Sequence, residues 1–82
     1  MNNIKEYSVD IDLINGEQER ELNYKSFEKA KKIFDKYSQT MIYDNEQIDN
    51  IQLVAVFKNG FYETLDRKFS DYYFIKQYSH ER

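Results

Sequence analysis

Carboxylates are the side chains in this 82-residue chain that could do chemistry. Asp10, Asp12, Glu17, Glu19 and Glu21 crowd one stretch, and Asp44, Glu46 and Asp49 form a second group. Such residues can act as an acid–base pair, hold a divalent cation through oxygen, or imitate the phosphates of a nucleic acid. Each role needs its own setting. Acid–base work needs two groups whose surroundings split their pKa values, usually inside a cleft. A calcium loop of the EF-hand kind needs fixed ligand spacing and a glycine, and the run Asp44-Asn45-Glu46 to Asp49-Asn50 has neither. Phosphate imitation needs only a rigid, open, one-signed surface.

Other chemistries narrow quickly. There is no Cys, so no thiol nucleophile, thiolate metal site or disulfide. The one histidine, His80, stands two residues from the end of the sequence and reads as a surface residue. No G-x-S-x-G elbow is present. With two Gly and no Pro, there is no glycine-rich phosphate loop. The reading is of a protein that is not an enzyme, with no cofactor and no metal.

The elements that place the carboxylates come next. Tyr7, Val9, Ile11, Leu13, Leu22 and Tyr24 alternate with polar residues on either side of Asn15-Gly16. Asn-Gly between two alternating runs signals a β-hairpin, because a type I′ turn needs positive φ at both central residues. A two-residue loop there pairs Ile14 with Glu17, Val9 with Leu22 and Tyr7 with Tyr24. The apolar side chains then share one face. Asp10 falls opposite Glu21, and Asp12 opposite Glu19, on the other. Directly opposed like charges cost up to about 1 kcal/mol per pair. A slip of one residue would turn Asp10 and Asp12 into the core, so the register is well specified. Arg20, the one base within these strands, points to the apolar face.

Ser26 is placed to cap a helix from 27 to about 39. Phe27, Ala30, Ile33, Phe34 and Tyr37 recur at helical spacing and supply its apolar stripe. Met41, Ile42 and Tyr43 continue the helix or form a short extended piece, and 44–50 reads as a polar loop. Ile51 to Phe57 is apolar on both faces, as in a central strand. Asn59-Gly60 marks a second hairpin with Phe61 to Leu65 returning. A two-residue turn would pair Phe57 with Tyr62 and Val54 with Leu65, yet would set Val56 against Glu63, which leaves room for a bulge. From Asp66 onward the reading leans to a short aromatic helix starting near Ser70-Asp71. Its Tyr72, Tyr73, Phe74 and Tyr78 either close the core or form a self-association patch.

The expected fold is therefore one α+β domain over residues 1–82. Its order is ββαββ, with a mainly antiparallel four-stranded sheet, one covering helix and a short aromatic C-terminal element. No apolar run approaches the ~20 residues of a membrane span. The reading is of a soluble, cytoplasmic protein, in the host cytoplasm if phage-encoded. The net charge of −3 hides a segregation. Lys25, Lys29, Lys31, Lys32 and Lys36 gather on and beside the helix, far from the acidic hairpin. A lysine-lined helix could touch phosphates, but the acidic chain is opposite in sign to the usual nucleic-acid binder, and direct nucleic-acid binding is not expected.

In size, composition and element order the chain resembles small acidic proteins of phages and mobile elements from AT-rich Firmicutes genomes. Anti-CRISPR proteins are among these. The resemblance implies an inhibitor that occupies a basic nucleic-acid-binding site on a nuclease or defence effector. The residues of this sequence that would meet such a partner are Asp10, Asp12, Glu17, Glu19 and Glu21, helped by Asp44, Glu46 and Asp49. Immunity proteins and antitoxins against basic toxins share the same look. A self-assembling structural module, joined through an edge strand or the aromatic tail, is the reading from another class. The oligomeric expectation is a monomer or a homodimer.

Overall fold

The computed structural model describes residues 3–15 and 19–71. Five strands and one helix follow in the order β1 (Ile4–Leu13), β2 (Glu19–Tyr24), α1 (Phe27–Thr40), β3 (Ile42–Tyr43), β4 (Glu46–Phe57) and β5 (Tyr62–Phe69). The fold is α+β, with an antiparallel sheet covered on one face by the helix. β4 lies at its centre. It pairs with β1 along one edge, and with β3 and then β5 along the other; β2 lies outside β1.

The first hairpin has the register that alternation dictates: Tyr7 opposite Tyr24, Val9 opposite Leu22, Asp10 opposite Glu21 and Asp12 opposite Glu19. Its connecting residues 16–18 lie outside the described residues, and so does the Ile14–Glu17 pairing. Val9, Ile11 and Leu13 are buried on the helix side, where they meet Ile48, Ile51 and Leu53 of β4. The helix adds Ala30 and Phe34 as buried residues, with Ile33 and Tyr37 packed at the margin. Burying these side chains contributes about 1.5–3 kcal/mol for each large one. The Ser26 hydroxyl accepts the Lys29 N–H at 3.3 Å and caps the first turn. At the other end Met41 adopts a left-handed conformation (φ 56°) and donates its N–H to Tyr37 O at 2.7 Å. This closes the helix in the way glycine usually does.

Three expectations change in the second half. The segment 44–50 is not a loop. Asp44 and Asn45, at φ 53° and 66°, make a tight turn between β3 and β4, and Glu46 to Asn50 are already strand. Positive φ at both central residues is the type I′ signature, carried here by Asp-Asn rather than Asn-Gly. With β3 included, the sheet has five strands rather than four.

The second hairpin has three connecting residues, not two. Phe57 donates to Phe61 O at 2.8 Å, and Gly60 donates back to Phe57 O at 3.0 Å. Gly60 takes φ 95°, which completes the three-residue hairpin turn. Val56 consequently faces Tyr62 rather than Glu63, and Val54 faces Thr64 rather than Leu65. Leu65 is then the extra residue of a bulge, after which Leu53 meets Asp66. The returning strand also runs on to Phe69, beyond the Leu65 expected as its end. The rest of the aromatic tail, with Tyr72, Tyr73, Phe74 and Tyr78, lies outside the described residues.

The two turns make opposite predictions. Asn45→Gly supplies the residue a type I′ turn prefers and is expected to raise stability by about 0.5–1 kcal/mol. Gly60→Ala meets no neighbouring atom, yet strains a backbone at φ 95° and is expected to cost about 1 kcal/mol. Thermal denaturation should show the pair displaced to either side of the parent by several degrees.

Candidate functional site

The sheet face away from the helix is built by the alternate residues of four strands. β2 contributes Glu19, Glu21 and Asn23, and β1 contributes Ser8, Asp10 and Asp12. β4 contributes Asn50, Gln52, Val54 and Val56 opposite them. β5 adds Tyr62, Thr64, Arg67 and Phe69. The sheet's curvature makes this face a shallow trough of about 450 Å³, with Asp10, Glu19 and Glu21 on one wall, Val54 and Gln52 on the floor, and Tyr62 and Arg67 on the other wall. Ser8 and Val54 are buried on this side too, at 2% and 4% exposure.

Four of the sequence-predicted residues therefore come together. Asp10–Glu21 and Asp12–Glu19 are directly opposed pairs. Asp10 is half-buried, and its Oδ1 is buried without a hydrogen-bond partner. Burial pushes the Asp10 carboxyl above its ordinary pKa; a hydrogen bond from Ser8 works against this, and the charges of Glu21 and Asp12 add to it. Glu19 is raised as well, by desolvation and then by Asp12, Asp10 and Glu21. The carboxylates thus press on one another electrostatically. Asp12 is better served, since Asn50 Nδ2 donates to its Oδ2 at 3.1 Å.

The other predicted residues do not join this face. Glu46 lies opposite Tyr43. Opposed residues share a face, and the Tyr43 ring packs edge-on against Tyr37 of the helix at 5.2 Å, so Glu46 belongs to the helix side. There its carboxylate accepts from the Asn15 side chain. Asp44 is at the tip of the β3–β4 turn. Asp49 is the extra residue where Asp12 pairs with Asn50 and Leu13 with Ile48, and its carbonyl accepts the Ser70 N–H at 2.9 Å. Glu17 lies outside the described residues, as does His80. The lysines are on the opposite layer, where Lys31 is tied to Asp35 at 2.8 Å.

Sequence reasoning missed two members of the face. Gln52, facing Asp10 across the ladder, accepts from Arg67 Nη2 at 2.6 Å and from Thr64 Oγ1 at 3.0 Å. Arg67 also lies over the Phe69 ring at 5.6 Å. The face is thus polarised across the strands, with carboxylates on β1 and β2 and a held guanidinium on β5. The signal for Arg67 was present in the strand's length, but which face it takes depends on the Leu65 bulge.

Raised carboxylate pKa values fix the sign of a pH effect. The folded chain holds protons at Asp10 and Glu19 more tightly than the unfolded chain does. Stability from these groups is therefore present in acid and is lost as pH rises through their folded pKa values. Thermal midpoints are expected to rise as the pH is lowered from neutral into the acidic range, and this slope should flatten in the Asp10→Asn/Glu19→Gln double variant. At neutral pH, Asp10→Asn alone is expected to add about 0.2–1 kcal/mol by relieving its opposition to Glu21.

Among the described residues no helix is long and apolar enough to cross a membrane, and no three His, Cys, Asp or Glu side chains are grouped to hold a metal ion. No family model matches the chain, no curated protein matches it, and no solved structure matches it.

Proposed function

We propose that this chain is a non-enzymatic binding protein whose open sheet face occupies a basic, nucleic-acid-contacting surface on a protein partner, as an inhibitor of the anti-CRISPR kind. The observation that carries this reading is the opposition of Asp10 to Glu21 and Asp12 to Glu19 on one exposed face. Rigid strands hold the charges in rows, with alternate residues about 6.8 Å apart along a strand. A partner built to grip a phosphate backbone offers lysines and arginines that such a row can satisfy. Binding would also relieve the mutual repulsion and the raised proton affinity of Asp10 and Glu19, so part of the cost of folding returns as affinity.

The rest of the trough fits the same role. Val54, Val56 and Tyr62 border the carboxylates and could receive the aliphatic stems of long basic side chains. Arg67, fixed by Gln52, would repel a basic group on its own side and so orient the partner. Fields of opposite sign steer encounter, and the association rate should fall steeply with salt.

The test is capture of a partner from the host lysate, followed by its binding in vitro to the parent and to the Asp10→Asn/Asp12→Asn/Glu19→Gln/Glu21→Gln variant. The parent is expected to bind a basic protein, with nucleic acid competing. The variant should bind at least roughly 100-fold more weakly while melting no lower than the parent. Equal binding by parent and variant, or failure of nucleic acid to compete, would rule the reading out.

A further inference from the structure

Among the described residues strand β5 pairs with β4 alone, and the helix packs mainly over β1, β2, β3 and β4, meeting β5 through the Lys68–Ser38 hydrogen bond. Every residue from Tyr62 to Lys68 is exposed. Three of the five large apolar residues that are exposed among the described residues gather here: Phe61 at 72%, Tyr62 at 73% and Leu65 at 42%. A strand so placed presents a row of backbone donors and acceptors to any other strand.

We propose that the outer edge of β5 pairs antiparallel with β5 of a second copy of this chain, about a two-fold axis between Leu65 and Asp66 and normal to the sheet. This goes beyond the inhibitor reading and does not depend on it. The support is the order of side chains. In that register Tyr62 lies opposite Phe69, Glu63 opposite Lys68, and Thr64 opposite Arg67, each pair occurring twice. Aromatic meets aromatic at the ends, and acid meets base next to them, which is the cross-strand chemistry that stabilises a ladder.

The bulge is what permits this. A two-fold normal to the sheet leaves each face where it was, so opposed residues must already share a face. Glu63 stands opposite Ala55, and Lys68 opposite Ile51, both on the helix side. Tyr62 and Phe69 stand opposite Val56 and Asn50 on the open side. Residues five or seven apart in an unbroken strand would point to opposite faces; the extra residue Leu65 brings each pair back together. A shift of two residues toward the hairpin would set Glu63 against Asp66. The other sheet edge lacks this symmetry, since β2 (Glu19–Tyr24) paired with itself about its middle opposes Glu21 to Leu22, which stand on opposite faces. Lys68 also donates to Ser38 O at 2.6 Å, which leaves ammonium protons for Glu63 of the second copy. The two helices would lie on one side of the joined sheet and the two acidic troughs on the other.

Sedimentation equilibrium over a range of concentrations tests the pairing. The parent is expected to double its mass as concentration rises. Glu63→Lys sets Lys against Lys twice, and Lys68→Glu sets Glu against Glu twice; each should weaken association by roughly tenfold or more. Mixing the two variants places a Lys opposite a Glu in both of these pairs and should restore the dimer. A parent that stays monomeric, a dimer indifferent to either variant, or a mixture that remains monomeric overturns the proposal. Circular dichroism checks that each variant folds. Should Lys68→Glu fail that check, the comparison of Glu63→Lys with Glu63→Gln decides, because only charge reversal should abolish dimerisation and equal masses for parent and Glu63→Lys overturn it.

Discussion

The constraint on which this fold depends is that β4 must keep one face apolar while serving ladders on both edges. Ile48, Ile51, Leu53 and Ala55 are its buried residues on the helix side, and their spacing is not a clean alternation. Between Ile48 and Ile51 there is one residue too many. Asp49 takes up that residue as a bulge against β1. Without it, Ile48 would turn to the open face and the core would lose a fully buried side chain. Further irregularities lie near Lys5 at the start of β1 and at Leu65 in β5. The Asp49 insertion costs a ladder bond locally and keeps Ile48 in the core, a favourable exchange when a buried isoleucine contributes about 1.5–3 kcal/mol.

This is also what separates the legible half of the sequence from the rest. The first hairpin alternates without interruption from Tyr7 to Leu13, so its register followed from period two alone. The helix was legible from its stripe and from Ser26. In the second half the bulged positions break the period. The run from Asp44 to Asn50 offers one apolar residue, Ile48, at the wrong spacing to join Ile51, and so resembles a loop. A two-residue turn at Asn59-Gly60 gives the observed pairing of Gln52 with Arg67 but not that of Val54 with Thr64, because turn and bulge each displace the register by one and cancel only beyond Leu65. Four carboxylates of the candidate face were legible for the same reason the hairpin was. Arg67 was not, because the returning strand was read only as far as Leu65, and Glu46, read as part of a polar loop, lies in β4 on the helix side.

The two layers divide the charge as well as the core. The helix is set over β1, β2 and the first part of β4 and carries its lysines outward, while the acids of β1 and β2 face the other way. Nothing in the packing requires that separation, since either outer surface could be mixed. Opposite charges on opposite layers give the chain a direction, and a directed field acts over about a Debye length, roughly 8–10 Å at physiological salt. Such a field bears on encounter with partners far more than on the fold itself.

Solubility is the competing explanation for the acidic face, and it accounts for charge without accounting for position. Exposed acids elsewhere on the surface, such as Glu28 and Asp44, already serve solubility. Asp10 is different. It is half-buried beside the central strand, opposite Glu21, with one oxygen left unpartnered. A serine or threonine there would keep the alternation, keep the face polar and remove the repulsion. A small domain has a few kilocalories of stability to spare, so a half-buried charge set against Glu21 is an expensive way to stay dissolved. Under the proposed reading, a positively charged surface of a partner supplies what the fold leaves missing.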